Sequence, residues 1–436
     1  MNKIPSIMQR SSLIRWRIAA MVGAFAFVSY LQRMNISVAA ELMMPGLGLT
    51  KIQMGQIFSS FLIGYAIFQV PAGRLGDSVG PKATLAVAAL LWGTTTFLTG
   101  LLPKLIFGGF SAFVSLAILR FLLGAAEAAT FPVGSRAIRN WTPPNERALG
   151  NAFMIAGSSS AAAVTSPLVS WLMLRGGWRS AFYVTSVFAF AMAALWYWAA
   201  TNYPGEHSRV SAAELELITR HAQWQNNETL GKRKSFATLL RDPNILFLAL
   251  SYTCEGYVLF IFVFWLYIYL VEVRGFGILR GGFIASLPWI TALVCTPLGG
   301  FACDRISAKR GRVAGARAVI MLGYGLSGLL LFAAAKIDNR AAAVGALCVS
   351  VGGLYFAEPA FWAAAAHLSG ENAGAVSGIM NTAGIVGGLA STSIVPLMVK
   401  HFGWLFALGS GAAVAITCTI IWFAIGGRQL AVSEAN

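Results

Sequence analysis

Charge is scarce in this chain: 11% of its 436 residues are Asp, Glu, Lys or Arg, against 57% hydrophobic. With a mean hydropathy of +0.69, that poverty excludes a soluble globular protein. Cysteine is also sparse. Cys254, Cys295, Cys303, Cys348 and Cys418 all fall in or beside apolar runs without C-x-x-C spacing, so they read as packing residues rather than metal or redox groups. No nucleophile–base pair, metal cluster or phosphate loop accompanies the few charges, which argues against an enzyme and against a bound cofactor. The first 14 residues carry no cleavable signal, so the first apolar run is expected to stay as a signal-anchor helix.

What the chain does have is long apolar runs. Twelve recur, at roughly 17–40, 53–73, 83–102, 107–132, 148–174, 180–200, 244–271, 281–301, 316–335, 341–363, 374–399 and 402–426. Each has about the 20 residues a helix needs to cross the hydrocarbon core, whereas membrane strands would be nearer ten and alternate in polarity. The expected fold is an all-α membrane protein of 12 transmembrane helices. An even number of spans puts both termini on one side, and assigning that side to the cytoplasm places 21 of the 32 Lys and Arg inside. The net charge of +16 is therefore topological. No RNP, helix-turn-helix or zinc-finger spacing turns it toward nucleic acid.

Three charges lie deep in the first and fourth runs. Arg120 and Glu127 lie in the fourth run, and Arg33 lies in the first beside Gln32 and Asn35. A charge at bilayer depth costs at least about 2.5 kcal/mol unless it faces protein or water. Seven residues make two turns, so Arg120 and Glu127 share a face about 10 Å apart along the axis. Guanidinium offers a planar fork that meets a carboxylate in two parallel hydrogen bonds. Arg33 and Arg120 are the expected anion site. Glu127, among Ala125, Ala126, Ala128 and Ala129, is the expected proton carrier, because burial and a nearby arginine pull a carboxyl's affinity for protons in opposite directions. A fixed Glu127–arginine pair that merely holds helices together is the competing reading.

The chain is also internally duplicated. Gly73-Arg-Leu-Gly-Asp77 closes the second run and Gly300-Phe-Ala-Cys-Asp304 the eighth, an offset of 304 − 77 = 227; Gly177-Trp178 and Gly403-Trp404 open the sixth and twelfth at 404 − 178 = 226. This divides the chain into six-helix bundles at 1–200 and 244–436, joined by a polar linker at 201–243, with a substrate site between them near the midplane. In the linker, Ser211-Ala-Ala-Glu214 reads as a capping box opening a short amphipathic helix, followed by the basic Lys232-Arg233-Lys234. It is expected to be a solvated connector, with a regulatory or lipid-headgroup contact as the alternative.

These features resemble the major facilitator superfamily and, more narrowly, its anion:cation symporter family, whose members include bacterial sugar-acid transporters and animal sialin and vesicular glutamate transporters. The likeness rests on Tyr30-Leu-Gln-Arg33-Met-Asn35, Gly64-Tyr65-x3-Gln69-Val-Pro71, Arg120-x3-Gly124-x2-Glu127-x3-Phe131-Pro132, Trp141, Glu146-Arg147, Phe361-Trp362 and Gly378-Ile-Met-Asn381. It implies that Arg33 binds a substrate carboxylate, that Arg120 serves coupling, and that Tyr65, Ser158, Trp362 and Asn381 contact the polar body of the substrate. It implies a charge latch at Asp77, Asp304 and Arg305 near Arg74, Lys82 and Arg310, weakened in the first copy by Ser78. Gln32 departs from the aspartate that many bacterial members carry there. Glutamine cannot titrate, so one proton through Glu127, or weak coupling, is expected. Glu255 and Glu358 have no family role; either is a candidate additional proton site, and Glu358 precedes Pro359, where a broken helix would line the cavity.

The sequence thus points to a monomeric plasma-membrane carrier, in a bacterium the inner membrane, taking a small organic anion such as a hexonate, hexuronate or aldarate by proton symport. An organophosphate or phosphate antiporter, an uncoupled organic-anion facilitator and a non-transporting anion sensor are the alternatives.

Overall fold

A computed structural model describes residues 12–105, 109–143, 146–225, 236–369 and 373–433. Among these the chain is helical throughout, and the order is α1 (Ile14–Leu47), α2 (Lys51–Ser78), α3 (Pro81–Leu105), α4 (Gly109–Glu127), α5 (Thr130–Trp141), α6 (Arg147–Ala199), a 3-10 turn (Pro204–Glu206), α7 (Ala212–Gln225), α8 (Phe236–Leu239), α9 (Pro243–Glu272), α10 (Ile278–Arg310), α11 (Arg312–Lys336), α12 (Arg340–Ser369), α13 (Ala373–Phe402) and α14 (Trp404–Ser433). The expected twelve spans map onto α1, α2, α3, α4 with α5, two parts of α6, and α9 to α14. In α6 the break is made by Gly176 (φ −135°) and Gly177 (φ 71°), the second in the left-handed region that glycine enters without a Cβ clash. The fourth run is interrupted as well, since the helix lapses at Ala128 and Ala129 before α5 begins.

The duplication is visible in the backbone. Gly48 and Gly275, 227 positions apart, end α1 and follow α9 at φ 64° and 65°. A Cβ on Gly73 would sit 3.7 Å from the Pro132 Cβ, and one on Gly300 would sit 3.7 Å from the Pro359 Cβ, the same pair shifted by 227. Each half is drawn together by glycines that bring backbones into contact. A Cβ on Gly64 would lie 2.1 Å from the Phe121 carbonyl oxygen, and one on Gly124 2.0 Å from that of Phe61, which locks α2 to α4. In the second half Gly256 would meet the Gly384 oxygen at 1.8 Å, joining α9 to α13, and Gly299 the Phe356 oxygen at 1.8 Å, joining α10 to α12. Without a hydrophobic driving force between helices in lipid, such close approach is what holds them.

The halves meet at the end of the bundle away from both termini. Lys51 pairs with Glu272 at 2.6 Å, Ser59 with Thr392 at 2.7 Å, and Ser170 with the Tyr267 hydroxyl at 3.3 Å. Among the described residues, no hydrogen bond joins the halves at the terminal end. Pro359 does not break α12, which stays helical through Ser369; a spanning helix tolerates proline where neighbouring groups take up the freed backbone carbonyl.

The linker differs from the solvated connector expected from its polarity. Glu214 is fully buried, and its carboxylate accepts hydrogen bonds from the Ser12 hydroxyl, the Ile14 amide (3.0 Å), the Arg15 amide (3.2 Å) and the Arg15 guanidinium (3.0 Å). Only half of the expected capping box forms. The Glu214 amide donates to the Ser211 hydroxyl at 3.3 Å, while the Glu214 side chain caps α1 instead of reaching back. The Ser211 amide donates to the Ser12 hydroxyl (3.0 Å), and the Ser12 amide donates to the Ser211 hydroxyl (3.2 Å), so two helix starts cap one another. Burial acts to raise the proton affinity of Glu214, but these donors outweigh it and hold the carboxyl below its ordinary pKa. Lys232-Arg233-Lys234 lies outside the described residues.

Candidate functional site

At the middle of the first half, α1 and the end of α4 bring Arg33 and Glu127 together. Arg33 Nε donates to Glu127 Oε2 at 3.2 Å, with both side chains buried. The Arg33 guanidinium carbon stands 4.4, 4.8 and 5.0 Å from the ring centres of Tyr30, Tyr65 and Phe61. Three π faces around a desolvated cation contribute about 1–2 kcal/mol each, which partly offsets the cost of removing it from water. The pair is nevertheless incomplete. Arg33 Nη2 and Glu127 Oε1 are buried without a hydrogen-bond partner, although Ser29 lies beside the carboxylate. A forked cation with a free nitrogen and a carboxylate with a free oxygen are what an incoming anion and a proton would use.

Arg120 is placed differently from the expectation that it joins Arg33 at an anion site. Its Nη1 donates to the Gln32 carbonyl oxygen at 3.1 Å and its Nη2 to Asn35 Oδ1 at 3.0 Å, over the Phe182 ring. It spends both terminal nitrogens bracing α1, and only Nε is left unpaired. Gln32 and Asn35 are engaged through both their oxygen and their nitrogen. Gln32 Nε2 donates to the Thr185 carbonyl at 3.1 Å and its oxygen accepts from Thr96 at 2.9 Å, while Asn35 Nδ2 donates to the Thr185 hydroxyl at 3.1 Å. This network ties α1, α3, α4 and α6 together and fixes the rotation that presents Arg33 to the centre.

Arg33 opens onto the interface between halves. With Tyr30 and Met34 it forms one wall of an enclosed space completed by Phe260 and Val263 of α9, Trp289 of α10 and Tyr355 of α12. Its volume is about 20 Å³, room for roughly one water. A sugar-sized ligand would need the halves to part further.

The other expected residues scatter. Tyr65 is beneath Arg33, as described. The Ser158 hydroxyl donates to the Ile155 carbonyl of its own helix at 2.9 Å. Trp362 is 42% exposed and donates Nε1 to Glu358 at 2.8 Å; Tyr252 donates to the same oxygen at 2.8 Å. Glu255 is buried near that group. Asn381 is half-buried on α13 and does not line the enclosed space. Asp77 pairs with Arg136 of α5 rather than with Arg74 or Lys82. Asp304 and Arg305 are exposed and, among the described residues, form no ion pair with Arg310 or with each other. Sequence reasoning passed over Phe61, Thr96 and Thr185 as site residues. Tyr30 was within its reach, since position i−3 from Arg33 shares its helix face.

Two duplicated six-helix bundles around a buried ion pair define a polytopic membrane carrier. The profile described as Major Facilitator Superfamily matches residues 22–392, and the chain belongs to that superfamily. It is 32% identical over 395 residues to the probable sulfoacetate transporter SauU of Cupriavidus necator, covering 89% of this chain and 88% of that protein. It is 30% identical over 404 residues to the hexuronate transporter of Bacillus subtilis, covering 91% of each. Among solved structures, a bacterial homologue of the human lysosomal transporter Spinster, in an inward-facing and occupied conformation, superposes with a TM-score of 0.75 at 14% identity, over 95% of this chain and 97% of that one.

Proposed function

We propose that the protein is a secondary active transporter that moves a small organic anion, of the sugar-acid class, together with a proton by alternating access. The observation that carries the reading is the buried Arg33–Glu127 pair with one open nitrogen and one open oxygen. Relatives whose names assign them sulfoacetate, hexuronate and galactarate/D-glucarate support an anionic substrate. None of these three names a phosphate, and a carboxylate suits the Arg33 fork.

The pair supplies a coupling mechanism. Ionised Glu127 occupies Arg33 and competes with a substrate carboxylate for it. Protonation of Glu127 releases the guanidinium, so each ligand favours the other through a shared group. Substrate departure lets Glu127 lose its proton and return to Arg33. Arg120, bracing α1 through Gln32 and Asn35, positions Arg33 and acts on transport through it. Tyr65, Trp362 and Asn381 are assigned to the polar body of the substrate, with Ser158 joining once its helix repacks. The reading places both termini in the cytoplasm, so that contacts between halves seal the outer face and the cleft opens inward. It takes 1–200 and 244–436 as the rocking bodies, 201–243 as their linker, the plasma membrane as the site and a monomer as the working unit. Asp77 with Arg136 on one side, and Asp304 with Arg305 on the other, would regroup when the inner face closes.

The test uses purified protein in liposomes with an imposed pH gradient and labelled hexuronate, glucarate and sulfoacetate. Uphill accumulation in the native protein, lost in Glu127→Gln while exchange of labelled for unlabelled substrate persists, is the expected outcome. Equilibration without accumulation would make the protein an uncoupled facilitator. Binding without movement would make it a sensor.

A further inference from the structure

We propose that Glu255 and Glu358 form a second proton-binding site, in the C-terminal half, which loads from the central cleft during transport; the proposal rests on the proton-symport reading above. Glu255 is 5% exposed and, among the described residues, no hydrogen bond or ion pair reaches it. Glu358, on the neighbouring α12, is half-buried and lies within electrostatic reach of it. Two carboxylates in one low-dielectric place cannot both ionise without a counter-charge.

Among the described residues no counter-charge is present. The titratable side chains that face the pair are Tyr30 of α1, Tyr252 of α9, Tyr324 of α11, Tyr355 of α12 and Cys418 of α14, none of which can become positive. Among the described residues α10 and α13 add no titratable group to either carboxyl. Glu127 has Arg33; this pair has nothing equivalent among the described residues.

A proton fits the vacancy in charge better than a metal cation does. The Tyr252 hydroxyl and the Trp362 indole N–H both donate to Glu358 Oε1, each at 2.8 Å. Their hydrogens fill the directions in which a cation would bind that oxygen, and an indole N–H can only donate. The same two bonds divide the labour. Glu358, with two donors, is the carboxylate of the pair; Glu255, with none, holds the proton. Access comes from the cleft. Tyr355 lines the enclosed space beside Arg33 and stands one turn before Glu358, and the Tyr30 phenol is within electrostatic reach of Arg33, Glu127, Glu255 and Glu358 together. Non-titrating Gln32 leaves Glu127 as the acid beside Arg33 in the first half, and the second half supplies a further acid.

The deciding measurement is the dependence of substrate accumulation on the imposed proton gradient, in liposomes clamped at zero membrane potential. For a tenfold proton gradient, two coupled protons give an accumulation of about 100-fold and one proton about tenfold. The native protein is expected to approach the first figure, and Glu255→Gln and Glu358→Gln the second, with substrate exchange retained in both. Native behaviour in both variants would overturn the proposal and give the pair a packing role. So would native accumulation driven by a sodium gradient at equal pH, or blocked by tetramethylammonium, since the site would then take a cation other than the proton. A native tenfold ratio that disappears in Glu127→Gln leaves the symport reading intact and removes this one; no accumulation in the native protein removes both. Should a glutamine variant fail to fold, judged by its size-exclusion profile in detergent, Glu255→Asp and Glu255→Met replace it. The aspartate is then expected to keep the two-proton dependence and the methionine to lose it; equal behaviour overturns the proposal.

Discussion

The two halves share a backbone plan and differ in where they keep their charge. Shifted by 227, the positions of Arg33, Arg120 and Glu127 fall on Phe260, Leu347 and Leu354, while those of Glu255 and Glu358 fall on Val28 and Phe131. Arg33 and Phe260 face the same enclosed space from opposite sides. Close glycine crossings occur in both halves, so packing has been kept where chemistry has diverged. Duplication explains the shape of the carrier; the site is built from what each copy holds alone.

Four sets of substitutions would break or sharpen this comparison. The largest effect is expected from Arg33→Gln, which leaves Glu127 buried without its partner at a cost of about 3–5 kcal/mol and removes the anion anchor. Uptake should fall at least about 100-fold. Phe260→Leu, at the equivalent position, should cost below about 1.5 kcal/mol and leave uptake within a few-fold. Comparable losses in both would mean that the halves share the anchor.

Next comes Glu214→Ala. It removes several charge-assisted hydrogen bonds to α1, worth about 3 kcal/mol together, and the second half has no such clasp among the described residues. Because the folded carboxyl sits below its ordinary pKa, its stabilisation is full above the unfolded value and disappears as pH falls through the folded one. The gap in Tm between native and variant protein should therefore be wide at pH 7 and close under acid. A gap that does not change with pH would contradict the ionised clasp.

Gly64→Ala and Gly256→Ala should lower Tm by similar amounts, at about 1–3 kcal/mol each, since both new methyls meet a backbone oxygen that cannot step aside. Gly345→Ala is the control. Nothing lies within 4 Å of its added methyl, and stability should rise by about 0.5–1 kcal/mol. The smallest effect belongs to the loops. Asp77→Asn loses an exposed pair with Arg136, worth about 0.2–1 kcal/mol. Asp304→Asn should change stability even less, because Asp304 has no ion-pair partner among the described residues. An Asp304 effect as large as that of Asp77 would remove this asymmetry between the halves.

Apolar length carried most of the fold. Runs of about 20 residues and the 227-residue repeat are one-dimensional signals, and they survive into the helices and their glycine contacts. Partner choice is not one-dimensional. Spacing placed Arg120 on the face of Glu127, yet α4 lapses just after Glu127, and Arg120 turns to the backbone of α1 while Arg33 takes the carboxylate. The rotation of α1 decides this, and it depends on Thr96 and Thr185, whose sequence surroundings give no hint of it. Glu214 was legible as a capping residue because Ser211 precedes it by three. Its real partners lie about 200 positions away, beyond the reach of any local pattern.

The polarity of α2 bears on how the chain first enters a bilayer. With Gln53, Gln56, Ser59, Ser60 and Gln69 along its length, α2 is long enough to span but, among the described spanning helices, is the one not apolar enough to cross a membrane by composition. Alone, such a segment gains little from leaving water. Its place depends on α4, whose backbone it touches at Gly64, and α4 emerges from the ribosome later. Membrane integration of the second span thus becomes a late, cooperative event, and a mutation that loosens the crossing would be felt first as misassembled nascent chain rather than as a slow carrier.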